Sequence, residues 1–261
     1  MIIRKSICFG LLILSVLLIS RCRNVGYRTL VVAHRGASSL APENTLASVR
    51  KAIELGADYC EIDVQLTKDG EVVLLHDSYL KRTAGIAGTL SEYTLDELRQ
   101  FEVGSWFGPN FDGEPIPTLT QVIRTVKGKM LLNIEIKVSR EETDIVSKVV
   151  DIIHSEGITK KCIVTSFGRS EVEKVKELDP LIKTGFIFSQ KYPPDVFEGN
   201  WEALSCNYRV VDADFVAKAR ENKKKIYVWT VDEKEEMKRL MELQVDGIIT
   251  NRPQDLIPLV R

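Results

Sequence analysis

Short apolar runs alternate with longer amphipathic stretches along the chain from residue 30 onwards. Each run spans five to eight residues and is rich in β-branched and aromatic residues, a pattern typical of strands. Eight runs are predicted as strands: 30–34, 59–66, 130–137, 162–167, 183–188, 204–211, 225–231 and 246–250. A further apolar run, VVLLHD at 72–77, follows the second predicted strand and ends in a histidine and an aspartate.

The stretches between the strands have the spacing of amphipathic helices. In NTLASVRKAIELGA, one apolar stripe contains Leu46, Val49 and Ile53, and the stretch ends at Gly56. The same spacing occurs in EETDIVSKVVDIIHSEG. Three later stretches each open with a Ser or Asp, the residue types that cap helix N-termini: SEVEKVKELDP, DADFVAKARENKK and DEKEEMKRLMELQ.

Alternating strands and helices predict an α/β fold with a parallel sheet. Eight strands favour a closed (β/α)8 TIM barrel over a doubly wound open sheet, and no G-x-G-x-x-G turn follows the first strand. We predict one barrel domain over 29–261. It carries a small insertion at about 78–117, because this segment is rich in Gly, Pro and aromatic residues and is too long for a plain loop.

The N-terminus has a different composition. An apolar run at 7–20, ICFGLLILSVLLIS, has basic residues on both sides, which is typical of a secretory signal or signal anchor. A buried N-terminal helix is the alternative, and the uniformly apolar surface disfavours it. We therefore predict that residues 1–23 export the chain and retain it at the membrane. Cys22 lies where a lipoprotein cysteine would, but Arg21 replaces the small residue expected before it, which argues against lipidation.

Composition narrows the class of protein. The chain has 261 residues, of which 44% are hydrophobic, so one sizeable core can form. The formal net charge of -1 argues against nucleic acid as a partner, because phosphate binding usually leaves a basic footprint. Cys60, Cys162 and Cys206 lie in or beside predicted strands and form no C-x-x-C pair, which favours buried thiols over a zinc site.

Acidic residues lie in two neighbouring predicted strands. Glu61 and Asp63 are two residues apart, so both side chains point to the same side of their strand. Glu135 repeats the arrangement in the next strand. Three carboxylates in one space repel each other without a cation, and their oxygens suit Mg²⁺ or Ca²⁺ rather than zinc. One divalent cation is therefore predicted here. The alternative is an ordinary ion pair for Glu61 and a turn cap for Asp63.

Two histidines and two basic residues stand at strand ends, where barrel enzymes carry their catalytic groups. His34 and His76 end apolar runs, and a pair of imidazoles can accept and donate protons near neutral pH. Arg35 and Lys137 add positive charge suited to phosphate. Together with the cation these groups predict a site for a phosphodiester. Trp229, at the end of the seventh predicted strand, is a candidate substrate contact.

Six motifs in order resemble those of the bacterial glycerophosphodiester phosphodiesterase family: HRG, PENT, EIDV, HD, EIK and DGIITNRP. The resemblance runs from about Leu30 to the C-terminus. It implies a (β/α)8 barrel that hydrolyses small glycerophosphodiesters to glycerol 3-phosphate and an alcohol. It also implies roles for matching residues: His34 and His76 as the acid/base pair, Glu61, Asp63 and Glu135 as metal ligands, and Arg35 with Lys137 at the phosphate.

Two other functions remain open at this point. A lysophospholipase D-type phosphodiesterase acting on membrane lipids would use the same groups, and the apolar N-terminus favours it. A barrel that binds phosphate esters without turnover is disfavoured, because such a protein needs no pair of proton-transferring histidines. The order in which the histidines act, and the choice between Mg²⁺ and Ca²⁺, are left open.

Overall fold

The computed structural model describes residues 27–137, 144–190 and 192–261, which contain nine strands and nine α-helices. The strands are β1 (Leu30–Ala33), β2 (Tyr59–Leu66), β3 (Val72–Leu74), β4 (Leu131–Ile136), β5 (Cys162–Ser166), β6 (Lys183–Phe188), β7 (Ala203–Asn207), β8 (Lys225–Trp229) and β9 (Gly247–Thr250). The helices are α1 (Leu46–Leu55), α2 (Lys81–Ala84), α3 (Leu95–Leu98), α4 (Leu119–Val126), α5 (Ile145–Ser155), α6 (Arg169–Leu178), α7 (Ala213–Glu221), α8 (Lys234–Glu242) and α9 (Pro253–Val260).

Eight of the strands close into a parallel barrel. Their order is β1-β9-β8-β7-β6-β5-β4-β2, and β1 pairs with β2 to complete the ring. Val32 lies at the closure, since it is in register with Ile249 on one side and Tyr59 on the other. The predicted (β/α)8 barrel is therefore confirmed, and the open sheet is excluded. Strand β3 pairs antiparallel with the end of β2 outside the ring.

The barrel interior changes from apolar to polar along its axis. A small cluster of buried residues fills the lower part: Val32, Ile163, Ala203, Tyr227 and Ile249. Two positions further along their strands, Thr165 and Ser205 are buried polar residues. Because side chains alternate along a strand, these polar positions form the next inward-facing layer. The polar layer lies towards the carboxyl ends of the strands, at the mouth of the barrel.

Three of the predicted element details are wrong. The run at 204–211 is not one strand, because β7 ends at Asn207, whose side chain accepts a hydrogen bond from the Arg209 amide and starts a 3₁₀ turn. Ser170 lies inside α6, and Gly168 precedes the helix. Asp232 does not cap α8, which begins after Glu233. Asp212, in contrast, caps α7 as predicted, since it accepts a hydrogen bond from the Phe215 amide.

The segment at 78–117 packs around a small apolar core that it shares with the run at 72–77. It contains α2, α3 and two 3₁₀ turns. The buried residues of this core are Val73, Leu75, Leu80, Leu90, Leu98, Val103 and Ile116. The Glu114 carboxylate accepts a hydrogen bond from the Ala47 amide at the start of α1, so the segment lies against the mouth side of the barrel.

The described chain begins at the opposite end of the barrel. Arg28 forms an ion pair with Asp58, which directly precedes β2, so both lie at the amino ends of the strands. The predicted signal or anchor segment 1–23, including Cys22, lies outside the described residues. Within 27–137, 144–190 and 192–261, none of the helices combines the length and hydropathy needed to cross a membrane.

Candidate active site

A tight turn after β1 places His34 and Arg35 at the mouth. Arg35 has a φ of 54° and Gly36 a φ of 82°, both in the left-handed region. A Cβ atom at Gly36 would lie 2.3 Å from Oγ of Ser48, so glycine is required there. The Arg35 amide donates to Oε2 of Glu61 over 2.8 Å, which ties the turn to the neighbouring strand.

The three predicted carboxylates come together on β2 and β4. Asp63 is in register with Glu135, and one oxygen of each of Glu61, Asp63 and Glu135 lies within 4.8 Å of the others. Asn44 holds Asp63 from two sides: its amide nitrogen donates to Oδ2 over 2.8 Å, and its oxygen accepts from the Asp63 backbone over 3.1 Å. Oε1 of Glu61 is buried and has no hydrogen-bond partner among the described residues.

This acidic cluster is electrostatically suited to a cation. Burial, together with the Asp63 and Glu135 charges, raises the pKa of Glu61 well above its usual value. Burial and the Asp63 charge raise the pKa of Glu135 to about 7. Burial also acts to raise the pKa of Asp63, but the charges of Lys137 and Arg35 outweigh it and lower that pKa. Clustered carboxylate oxygens, one of them unpartnered, fit a hard divalent ion.

The Lys137 and Arg35 cations border the same carboxylates. Nζ of Lys137 lies 2.6 Å from Oε1 of Glu135 and 3.3 Å from Oδ1 of Asp63. Nε of Arg35 lies 3.3 Å from Oδ2 of Asp63. Both basic side chains are mostly buried. The site thus combines a pocket for a cation with two fixed positive charges for an anion.

His34 is neutral and has a fixed tautomer. Burial and the neighbouring Arg35 charge lower the pKa of His34 to about 4. Nδ1 lies 2.7 Å from Oδ1 of Asn251, and an amide oxygen only accepts, so Nδ1 carries the proton. Asp232 fixes Asn251 in turn. The Asp232 carboxylate accepts one hydrogen bond from the side-chain nitrogen of Asn251 over 2.7 Å and another from the backbone amide of Asn251 over 2.9 Å. Nε2 of His34 is therefore a free proton acceptor, 3.9 Å from Glu61.

His76 is oriented in the same way by a charged partner. Its Nδ1 lies 2.7 Å from Oδ1 of Asp77. A hydrogen bond from Arg82, with burial opposing it, lowers the pKa of Asp77 to about 2, so the partner is a carboxylate at neutral pH. The backbone oxygen of His76 accepts from Gln65 over 3.2 Å. His76 thus presents Nε2 away from Asp77.

One cavity of about 140 Å³ at the mouth gathers these groups. Its charged side is lined by His34, Arg35, Glu61, His76, Glu135 and Lys137. Its uncharged side includes Thr165, Ser205 and Trp229. Nε1 of Trp229 is buried without a partner among the described residues, and the Trp229 ring packs edge-on against Phe167 with centroids 5.8 Å apart. The cavity can hold an ester with an anionic end and an uncharged polar end.

The structure brings all eight predicted site residues into this region. Seven of them line the cavity, and Asp63 lies behind Arg35 and Lys137. Five further residues hold the predicted residues in place, and the sequence pattern assigned none of them a place in the site, Asp232 being predicted only as a helix cap: Asn44, Glu43, Arg82, Asp232 and Asn251. Three of these five belong to the PENT and DGIITNRP motifs, and that motif membership was the only signal available for them.

The parallel barrel and its charged mouth define an enzyme of the phosphoric ester hydrolase type. The chain belongs to the glycerophosphoryl diester phosphodiesterase family, whose sequence profile matches residues 34–255. A glycerophosphodiester phosphodiesterase of Caldanaerobacter subterraneus subsp. tengcongensis is 39% identical over 239 residues, covering 90% of this chain and 98% of that protein.

Solved structures agree with this assignment. A phosphodiesterase of Oleispira antarctica in complex with its product sn-glycerol-3-phosphate is 30% identical, with a TM-score of 0.84, covering 89% of this chain and 96% of that one. A glycerophosphodiester phosphodiesterase of Thermotoga maritima is 28% identical, with a TM-score of 0.75, covering 90% and 99% of the two chains. The family and enzyme class expected from the sequence motifs are therefore confirmed.

Proposed function

We propose that this protein hydrolyses small glycerophosphodiesters to glycerol 3-phosphate and an alcohol, using one divalent cation and two histidines. One observation carries the proposal: two imidazoles, each held at Nδ1, line the same cavity as Glu61, Glu135 and two basic side chains, and Asp63 completes the carboxylate cluster behind them. The named activities of the relatives, and the glycerol-3-phosphate complex of the Oleispira antarctica protein, support the substrate class.

Glu61, Asp63 and Glu135 hold the ion in this proposal. A bound Mg²⁺ or Ca²⁺ supplies positive charge that stabilises the negative charge developing on the phosphoryl oxygens. Arg35 and Lys137 bind the same phosphoryl group from the chain itself. Arg35 is suited to this because its guanidinium is planar and permanently charged, and its orientation is fixed by Glu43 over 2.8 Å.

The two histidines move protons at their Nε2 atoms. One histidine takes the proton of the attacking oxygen, and the other, protonated at Nε2, gives its proton to the leaving alcohol oxygen. Where a hydroxyl of the substrate attacks, water then opens the cyclic phosphate that forms, and the two histidines return to their starting protonation states. Both histidines are placed for these transfers, because each is held at Nδ1 and lines the cavity. Proton transfer of this kind contributes roughly 10²–10⁴-fold to the rate.

The uncharged side of the cavity suits the glycerol moiety. Thr165 and Ser205 offer hydroxyl groups, and the unpartnered Nε1 of Trp229 offers a donor. Trp229 therefore contacts the substrate in this proposal. A polyol is favoured here over an acyl chain, because the buried donor would remain without a partner against hydrocarbon.

Release of glycerol 3-phosphate from glycerophosphocholine, glycerophosphoethanolamine and glycerophosphoglycerol tests the proposal, with and without a chelator. We expect the wild type and His154→Ala to be active with Mg²⁺ or Ca²⁺, and His34→Ala and His76→Ala to lose roughly 10²–10⁴-fold. His154 is the matched control, because it pairs with Asp179 near the end of α5.

Lysophosphatidylcholine in the same assay tests the second candidate, the lysophospholipase D-type activity. A preference for lysophosphatidylcholine over glycerophosphocholine would replace the proposed substrate class. Binding of glycerophosphodiesters without hydrolysis under both ions would instead favour the non-catalytic barrel.

We also propose that residues 1–23 export the chain and retain it at the membrane. The support is the apolar run at 7–20 with basic residues on both sides. Fractionation of cells that express the full chain, beside a chain that starts at residue 24, tests this. Membrane recovery of both forms alike would contradict it.

A further inference from the structure

One arginine of the insertion bridges two carboxylates near the cavity. Nε of Arg82, at the start of α2, donates to Oδ2 of Asp77 over 2.5 Å. The two terminal nitrogens of Arg82 donate to the two carboxylate oxygens of Glu43, each over 2.8 Å. The guanidinium thus forms three hydrogen bonds, two of them to one carboxylate, the fork geometry that makes such pairs strong.

Each of these carboxylates also forms a hydrogen bond with a side chain that lines the cavity. Oε1 of Glu43 also accepts from a terminal nitrogen of Arg35 over 2.8 Å. Oδ1 of Asp77 lies 2.7 Å from Nδ1 of His76. Five side chains therefore form an unbroken series, which we call the bridging chain: Arg35, Glu43, Arg82, Asp77 and His76. Its ends are the phosphate-binding and proton-transferring groups of the proposed reaction.

Among the described residues, only Arg82 joins Glu43 to Asp77. The Glu43 side chain is only 13% exposed, so water has limited access to it. Burial acts to raise the pKa of Glu43, but hydrogen bonds from Arg82 and the Arg35 charge outweigh it and lower that pKa. Without Arg82, Oε2 of Glu43 and Oδ2 of Asp77 both lose the donor described above. Each carboxylate could then turn towards solvent and release its other partner.

We propose that Arg82 is a positioning residue that fixes Arg35 and His76 relative to each other, so that the insertion sets the geometry of the mouth. This inference rests on the proposed function, because it takes the two ends of the bridging chain as reacting groups. Arg82 affects the reacting groups only indirectly, through its hydrogen bonds to Glu43 and Asp77. Removing Arg82 also takes two hydrogen bonds from the mostly buried Glu43 carboxylate, so a loss of stability is expected beside the kinetic effect.

Arg82→Ala, Arg82→Lys and Arg99→Ala test the proposal. Arg99 is the matched control, because it is an exposed arginine of the same insertion that pairs with Asp96 in the same helix turn. Partners that orient metal ligands contribute roughly 10–100-fold to affinity or activity, and we take the same range for Arg82. We expect Arg82→Ala to lower kcat/KM by that factor with kcat falling and KM rising, while Arg99→Ala keeps wild-type values. Arg82→Lys restores part of the loss, because an ammonium cannot form all three bonds.

Two further variants separate the ends of the bridging chain. Glu43→Gln releases Arg35 and is expected to act mainly on KM. Asp77→Asn releases His76 and is expected to act mainly on kcat. Arg82→Ala is expected to raise KM and lower kcat together. A residue with a purely structural role would not reproduce the separate effects of Glu43→Gln and Asp77→Asn. Since the Arg82 side chain is 42% exposed, added methylguanidinium should restore part of the activity of Arg82→Ala and leave Arg99→Ala unchanged.

Binding of inorganic phosphate, measured by calorimetry on the same full-length variants, keeps this test separate from the proposed function. Weaker binding is expected for Arg82→Ala and Glu43→Gln but not for Arg99→Ala. A wild type that binds phosphate but hydrolyses no glycerophosphodiester contradicts the proposed function only. The phosphate affinity of Arg82→Ala then tests the positioning role of Arg82 by itself. Wild-type phosphate affinity in Arg82→Ala overturns the inference. So does a kinetic loss that methylguanidinium leaves unchanged.

Discussion

The protonation of Glu135 makes the stability of the folded protein depend on pH. Burial and the Asp63 charge raise its pKa to about 7, whereas an unfolded glutamate titrates near 4.3. Between these values the folded protein holds a proton that the unfolded chain has released. By linkage, this contribution to stability is complete below pH 4 and is lost as pH rises through about 7. A divalent cation bound by Glu61, Asp63 and Glu135 would replace that proton.

Stabilisation by a divalent ion is therefore expected to grow with pH. We predict that the rise in Tm on adding Mg²⁺ or Ca²⁺ is small at pH 5 and larger at pH 8, because protons compete with the ion at the lower pH. Thermal unfolding with ion or chelator across this pH range measures it. Glu135→Gln is the matched variant and should reduce both the rise and its pH dependence. A rise that is equal at pH 5 and pH 8 in the wild type would contradict the assignment.

At the scale of elements, the turn after β1 depends on the contact between Gly36 and α1. Ser48 is fully buried, and its Oγ donates to the Arg35 backbone oxygen over 2.9 Å. A side chain at Gly36 would meet that Oγ and displace the connection which holds Arg35 in its left-handed conformation. The packing of α1 on this turn thus sets the position of two site residues.

Gly36→Ala is predicted to destabilise the fold more than Gly113→Ala. Both glycines have left-handed φ values, 82° and 81°, so both substitutions carry the cost of about 1–2 kcal/mol for that conformation. Gly113 has open space around it, whereas Gly36 meets Ser48, which adds about 1–3 kcal/mol of overpacking. Denaturant unfolding of both variants measures the difference. Equal losses of unfolding free energy in the two variants would show that Ser48 can move aside at no energetic cost and would contradict this prediction.

The elements show which features the sequence pattern can predict. The barrel was predictable, because each strand is a local apolar run and each helix a local stripe. The role of Asp232 was not, because an aspartate before a helix suits capping equally well. It instead accepts hydrogen bonds from Thr250, the last residue of β9, and from Asn251, which follows it. The pairing of Arg82 with Glu43 was not predictable either, because the two residues lie 39 positions apart along the chain and meet only in the folded protein.

At the scale of the whole molecule, the start of the described chain and the candidate active site lie at opposite ends of the barrel. Tyr27 and Arg28 lie at the amino ends of the strands, where Arg28 pairs with Asp58, and the cavity opens at the carboxyl ends. Residues 21–26 separate Tyr27 from the apolar run at 7–20. Even fully extended, this connection reaches at most about 25 Å. If residues 1–23 hold the chain at a membrane, the base of the barrel lies near it and the mouth faces water.

This orientation favours substrates dissolved in water over lipids of the same membrane. We predict that a fluorophore at Leu181→Cys is quenched by headgroup-quencher lipids in vesicles that carry the full chain, whereas one at Tyr79→Cys is not. Leu181 precedes β6 at the base, Tyr79 follows Asp77 towards the mouth, and both side chains are 66% exposed. Cys8 and Cys22 are first replaced by serine, and the three body cysteines are buried. Stronger quenching at Tyr79→Cys than at Leu181→Cys would place the mouth on the membrane and favour the lysophospholipid substrate instead.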